Sequence, residues 1–417
     1  MAGIDMNIGR RIDTRVGSVL LALLFLWSSA RARFGGPAQP PRRSTTPPEP
    51  DASPAPAPVR ILAIKLYGLG NIAMILPVLA ALRRAYPQAE VEFLTLEENR
   101  SLLERSGLVD RVVSVRSQGY VRLAAGLLGV FLGIRRAGYD LVLDFEQFIK
   151  LSAVLTYWTG ATRRVGFNTD GQGRGALYTS RVVYRDGDHM SQVFMRLLRP
   201  LGIERSDDPL PLRIEDEEVR AVDEFLAAAP AAGSRRPLIV VHVGSGPNFY
   251  KLALKRWPPS HFGKLCDRLV EQRQAHVVFT GKGEEEAALI REAVAAMKRD
   301  ATVACDQLSI GELLALLDRA DLTITNDTSV MHLATLVSCP VAAFFGPTDP
   351  MQYGPRNPHD IVLYRDFYCS PCLTNYNLKI SYCTNPVCIL SIGVDETFAR
   401  VDRQLTAIGF DAGSAAS

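Results

Sequence analysis

Two alternating patterns of apolar positions run along most of this chain. From Arg60 a continuous apolar run (ILAIKL) passes through a glycine turn, Tyr67 to Asn71, into a helix-periodic stretch through Leu82, and then into VEFLTL from Val91. Short continuous runs fit strands buried on both faces, and the 3.6-residue spacing between them fits helices. Further strands are expected at 112–115, 140–145 and 164–167, with helical stretches such as 122–136 between them. The alternation breaks over 203–215 and restarts after a loop at 229–236. The second half then repeats the logic: strand LIVVHV (238–243), helix 260–272, strand HVVFTG, helices 284–298 and 310–319, strand LTITN, helix 329–336 and strand VAAFFG. The expectation is an α/β fold of two Rossmann-like, doubly wound domains, 60–215 and 236–392, facing across a cleft, with a C-terminal helix at 393–410. Ligands in such sheets bind beyond the carboxyl ends of the strands, so the loops after Leu66, Val243, Thr280, Thr325 and Phe345 should line that cleft.

The first 59 residues follow neither pattern. An apolar run from Val16 to Trp27 is flanked by Arg10, Arg11 and Arg15 on one side and Arg31 and Arg33 on the other. Twelve residues are too few for a helical crossing, which needs about 20. Residues 1–34 are therefore expected to associate with a membrane surface through an interfacial helix, with a secretory signal as the alternative reading. Nine prolines between Pro37 and Pro58 make 35–59 a semi-rigid extended linker.

Composition narrows the class. With 417 residues, 47% apolar and 22% charged, the chain can form two or three domains with sizeable cores, so a miniprotein and a disordered chain are excluded. The net charge is +3, but the first sixty residues carry eight Lys/Arg against four Asp/Glu, leaving the folded body near neutral and giving no support to a nucleic-acid partner. Cys266, Cys305 and Cys339 have no framework spacing, which suits a reducing compartment.

Three clusters carry candidate chemistry. Thr325 to His332 (TNDTSVMH) is a polar turn between a strand and a helix start, where amide N–H groups and the helix dipole favour an anion; the plainer alternative is that Asp327 or Thr328 only caps the helix. Lys255 and Arg256 precede Trp257 and a proline-started helix, close in sequence to the loop His242 to Gly246, and two cations there would neutralise a diphosphate unless they are merely solvated. Glu284, Glu285 and Glu286 follow a strand end, where a carboxylate can hold a ribose or simply favour the first helical turn.

Taken together and in order, ILAIKLYGLGNIAMILPVLAALRRAYP, HVGSG with KRWP, TNDTSVMHLA and FFGPTDPMQYGP resemble glycosyltransferase family 9, the bacterial ADP-heptose:lipopolysaccharide heptosyltransferases. The resemblance spans about 60–401. It implies a GT-B fold, the nucleotide-sugar donor on the C-terminal domain, the acceptor on the N-terminal one, and inverting transfer with no metal requirement. It further implies that Lys255 meets the donor phosphates and Asp327 the transferred sugar. Thr328, Ser329 and Val330 would offer N–H groups to the diphosphate, Glu285 would hold the ribose, and Arg256 and His332 would belong to the donor site. The family's usual turn is GLGD, whose aspartate is the candidate base; here Asn71 occupies that place, and an amide cannot take the acceptor's proton. Asp144 and Glu146, in LVLDFEQF at a neighbouring strand end, are the expected replacements, with Glu146 first.

The remaining cluster is Cys369, Cys372, Cys383 and Cys388, four thiols at short spacings that suit a structural zinc ion, with free thiols or an iron–sulfur cluster as alternatives. The leading expectation is an inverting transferase that moves a heptose-like sugar from a nucleoside diphosphate to lipopolysaccharide or another lipid-linked glycan at the cytoplasmic face of the inner membrane. A sugar-nucleotide epimerase or hydrolase, and a non-catalytic nucleotide-sugar-binding relative suggested by Asn71, are the competing readings.

Overall fold

A computed structural model describes residues 57–116, 120–204, 210–228, 236–246, 252–377 and 379–410. The expected membrane-associating segment and most of the proline-rich linker lie outside these residues. Among the described residues no helix is long and apolar enough to cross a membrane.

The N-terminal half runs β1 (Arg60–Ile64), α1 (Leu69–Ala85), β2 (Glu90–Leu96), α2 (Arg100–Ser106), β3 (Arg111–Val115), α3 (Tyr120–Arg136), β4 (Leu141–Asp144), α4 (Lys150–Trp158), β5 (Arg163–Asn168), β6 (Ser180–Val183) and α5 (Met190–Met195). Helix α6 (Asp216–Ala227) follows, and the C-terminal half begins. Its elements are β7 (Leu238–His242), α7 (Pro259–Arg273), β8 (His276–Gly281), α8 (Gly283–Ala295), β9 (Thr302–Cys305), α9 (Ile310–Arg319), β10 (Leu322–Asn326), α10 (Ser329–Leu336), β11 (Val341–Phe344), α11 (Pro350–Tyr353), β12 (Ile361–Leu363), α12 (Val387–Leu390) and α13 (Val394–Ala407).

Each half holds one parallel six-stranded sheet, ordered β3-β2-β1-β4-β5-β6 and β12-β11-β10-β7-β8-β9. Read from the other edge, the second order is the first again. Both are the doubly wound order, in which the chain reverses direction across the sheet between the first and fourth strands of each half and leaves a crevice there. The central strands β1, β4, β7 and β10 are buried almost throughout; β1, β4 and β7 are accordingly apolar runs, while β10 (LTITN) buries two threonines and an asparagine. Three strands escape the sequence reading, β6, β9 and β12, and all three are sheet edges with half-solvated residues. An edge strand needs no continuous apolar run, so its signal is weak.

Between the halves, α6 is tied to the N-terminal one. Glu215 and Glu218 form a reciprocal cap at the start of α6, and Glu218 also accepts from Arg105 Nη1 at 2.7 Å, tying α6 back to α2. The two halves are also not merely opposed across an open cleft. Ile72, Ile75, Leu76 and Leu79 of α1 share one apolar core with Val330, Met331, Leu333 and Ala334 of α10. Each of the larger side chains, when fully buried, contributes about 1.5–3 kcal/mol, so this seam fixes the start of α1 beside the start of α10.

Candidate active site

The C-terminal crevice is built on a side chain the sequence reading did not single out. Asn326, the last residue of β10, accepts from the Trp257 N–H at 2.9 Å through Oδ1 and donates through Nδ2 to the carbonyls of Val243 and Gly244, both at 3.0 Å. One buried amide thus joins three loops. Trp257 is fully buried, stacks on Phe344 at 4.2 Å and donates from Nε1 to Ile392 O, so the KRWP segment is anchored by its aromatic residue. The two cations before it are held at the crevice as a result.

Lys255 Nζ lies 2.5 Å from Asp327 Oδ2, and the Thr348 hydroxyl donates to the same oxygen at 2.7 Å. Burial alone would push the Asp327 carboxyl up, but the charge and hydrogen bond of Lys255, the Thr348 hydroxyl and the charge of Lys379 hold it below the ordinary carboxylate range. Asp327 is therefore an anion. No side chain caps α10, whose N-cap is Thr328. The plainer reading, that Asp327 or Thr328 only caps the helix, is thereby removed, and the first-turn amides of α10 keep their donors for another acceptor.

Arg256 differs from Lys255. Its Nε donates to Ser245 Oγ at 2.8 Å and its Nη2 pairs with Glu285 at 2.6 Å, so the guanidinium braces the loop after β7 against the start of α8. Glu285 stays at the rim of the crevice through this pair. Glu284 points to Arg291 on its own helix. Glu286 is buried: it accepts from the Lys282 N–H at 2.9 Å and fills the space above Gly244, where a Cβ would fall 2.1 Å from its Oε1. A side chain at Gly244 would thus displace the Glu286 carboxylate.

The N-terminal crevice corrects the expected bases. Asp144 is sealed from solvent, and its Oδ2 accepts from Arg174 Nη2 (2.8 Å), Tyr178 Oη (2.6 Å) and Ser152 Oγ (2.9 Å), while Oδ1 accepts from the Glu146 N–H. Glu146 pairs with buried Lys65 at 2.7 Å and accepts from the Leu66 and Tyr67 N–H groups. Both carboxylates lie at the end of β4 as expected, but their oxygens are committed to holding α4, the segment between β5 and β6, and the turn after β1. Neither is offered to an acceptor. Asn71 is half-buried and folds its Nδ2 back toward Tyr67 O (3.4 Å), over Gly68, whose φ of 93° is open to glycine alone.

His332, on α10, faces this turn from the other domain. A Cβ on Gly70 would fall 2.6 Å from its Cδ2. Burial, and then the charge of Lys255, hold the imidazole down to about 4 against the pull of Asp327, so it is neutral at physiological pH.

The four-cysteine segment lies against this region. The Cys372 and Leu373 N–H groups donate to Pro347 O at 2.9 and 2.7 Å, pinning the segment to the turn after β11. Asn375 donates to Tyr184 Oη at 2.6 Å and accepts from Tyr353 Oη at 2.9 Å, so it bridges the domains. All four cysteines are free thiols. Burial first, and then the neighbouring cysteines, push the Cys388 thiol up to about 11. Among the described residues no three His, Cys, Asp or Glu side chains stand close enough to share a metal ion. The four thiols thus do not form the expected tetrahedral set here; backbone bonds hold the loop instead.

Residues 130–382 match the family model described as glycosyltransferase family 9 (heptosyltransferase). The chain is 26% identical over 324 residues to lipopolysaccharide heptosyltransferase 1 of Pseudomonas aeruginosa, covering 76% of this chain and 86% of that protein. Its fold superposes on a glycosyltransferase family 9 crystal structure from Veillonella parvula with a TM-score of 0.69 and 24% identity, over 84% of this chain and 97% of that one. It also superposes on the Escherichia coli ADP-heptose lps heptosyltransferase II, with a TM-score of 0.64 and 20% identity over 84% and 99% of the two chains.

Proposed function

The chain belongs to glycosyltransferase family 9, and from that premise we propose that it transfers a heptose-like sugar, with inversion, from a nucleoside diphosphate to the core of lipopolysaccharide or a related lipid-linked glycan. Membership in a transferase family replaces the epimerase and hydrolase readings. The observation that carries the proposal is the Lys255–Asp327 pair set against the uncapped start of α10 at the switch point of the C-terminal sheet. Opposite charges there suit the two ends of a donor. Lys255 and the amides of Thr328, Ser329 and Val330 meet the diphosphate, and Asp327 takes hydroxyls of the sugar. As the bond to the diphosphate breaks, negative charge grows on the leaving oxygen, and a fixed cation and amides stabilise it with no metal required. Glu285, beside Arg256 at the rim, is placed for the ribose.

The acceptor enters from the N-terminal side, above the turn at Gly70 and Asn71. The expected workplace is the cytoplasmic face of the inner membrane, where a lipid-linked acceptor is presented and where the basic, apolar residues 1–34 would hold the chain peripherally. The test is transfer from ADP-heptose to lipopolysaccharide stripped of its heptoses, read as ADP release and mass gain of the acceptor. Turnover that needs both substrates supports the proposal. Absence of ADP binding, with no turnover, overturns it.

A further inference from the structure

The transferase reading leaves the acceptor's proton without a destination. Asn71 carries no basic atom of use, Asp144 and Glu146 are locked in buried pairs, and Asp327 is an anion whose Oδ2 is taken up by Lys255 and Thr348. Among the described residues, His189 in the same seam has both ring nitrogens engaged, by Ser191 and by the Gly354 carbonyl, whereas His332 has neither tie. His332 lies on α10 five residues after Asp327, with its ring edge against Gly70, the residue before Asn71. It is 9% exposed, and among the described residues neither ring nitrogen has a hydrogen-bond partner. A packed core histidine would have its polar atoms satisfied.

We propose that His332 is the general base of this enzyme, standing in from the donor-side domain for the carboxylate that Asn71 lacks; this rests on the transferase reading. In the step, the acceptor oxygen bonds to the anomeric carbon as the bond from that carbon to the diphosphate oxygen breaks. The electron pair of the broken bond leaves with the diphosphate. The acceptor's proton passes to a free ring nitrogen of neutral His332, giving an imidazolium near Asp327 and the departing anion. The groups whose charge the ring feels are Lys255 from the loop before α7, Asp327 from the turn after β10, and His189 from the segment before α5. In the free protein Lys255 disfavours the imidazolium; a bound diphosphate neutralises that lysine and adds negative charge. The ring therefore becomes a stronger base only when the donor is in place. Gly70 has its own part here, because any side chain at that position would displace the ring.

The experiment compares the full-length protein with His332→Gln and with the double change Asn71→Asp/His332→Gln, using ADP-heptose and heptose-free lipopolysaccharide, and measures ADP affinity separately by thermal shift. His332→Gln is expected to lower kcat by about 10²-fold or more, with ADP affinity kept within about threefold. The acidic limb of the kcat–pH profile should vanish with it. Adding Asn71→Asp should restore at least tenfold, since a carboxylate at that position can take the proton, and no merely structural role for the histidine would be rescued this way. Unchanged kcat in His332→Gln, or a loss confined to ADP affinity, overturns the base. A wild-type chain that neither binds ADP nor turns over overturns the transferase reading and the base with it.

Discussion

The two crevices are the same in topology and opposite in chemistry. Each lies between the first and fourth strands of a β3-β2-β1-β4-β5-β6 type sheet, and each has acidic and basic side chains at its strand ends. In the N-terminal crevice these charges are spent inward: Asp144 on Arg174, and Glu146 on Lys65, all four fully or almost fully buried. In the C-terminal crevice Lys255 keeps part of its surface in the cleft, and the helix start beside it is uncapped. A topological switch point supplies a place for chemistry. Whether charges there hold the fold or meet a ligand depends on how many partners they already have.

The largest expected effect lies on the structural side of that contrast. Arg174→Met leaves Asp144 buried without its cation and is expected to cost about 3–5 kcal/mol of stability, read by urea denaturation with two probes. A loss below about 1 kcal/mol would break the contrast by showing that Asp144 does not need its cation. Next, on the chemical side, Lys255→Ala is expected to reduce donor affinity or turnover more than tenfold, about 1.4 kcal/mol or more, as read from steady-state kinetics with ADP-heptose. Unchanged kinetics would move the diphosphate elsewhere.

The seam between the crevices has its own signature. His189 and His332 are both held down to about 4, chiefly by burial, against about 6.5 in an unfolded chain. On acidification the unfolded state takes protons first, so stability falls between about pH 6.5 and 4, by up to roughly 1.4 kcal/mol per pH unit for each ring. Denaturation midpoints at pH 7.5 and 5 should differ less in His189→Gln than in the parent protein; equal differences would mean that His189 is solvent-coupled. The smallest effect is expected at the cysteine segment. Because backbone bonds to Pro347 already pin it, chelator treatment should lower the unfolding temperature by less than about 2–4 °C. A larger fall together with one zinc or iron per chain would show that the loop closes around an ion.

What the sequence determined by itself is the repeated pattern of buried strands and amphipathic helices, because a strand covered on both faces is rich in apolar residues. It determined the family motifs as well, and with them Lys255, Asp327 and the helix start after Asp327. Edge strands β6, β9 and β12 were not legible, since half-solvated strands of three or four residues leave little periodicity. The tertiary structure decided which charges are free. Asp144 and Glu146 read as available carboxylates until Arg174 and Lys65, thirty and eighty-one residues away in the chain, are seen to fill their oxygens. Asn326 reads as one more polar turn residue until two distant loops are found on its amide. His332 reads as a donor-site residue until α1 is packed against α10 and the ring meets Gly70. Hydrogen-bond partners distant in sequence are set by packing, and local pattern carries no record of them.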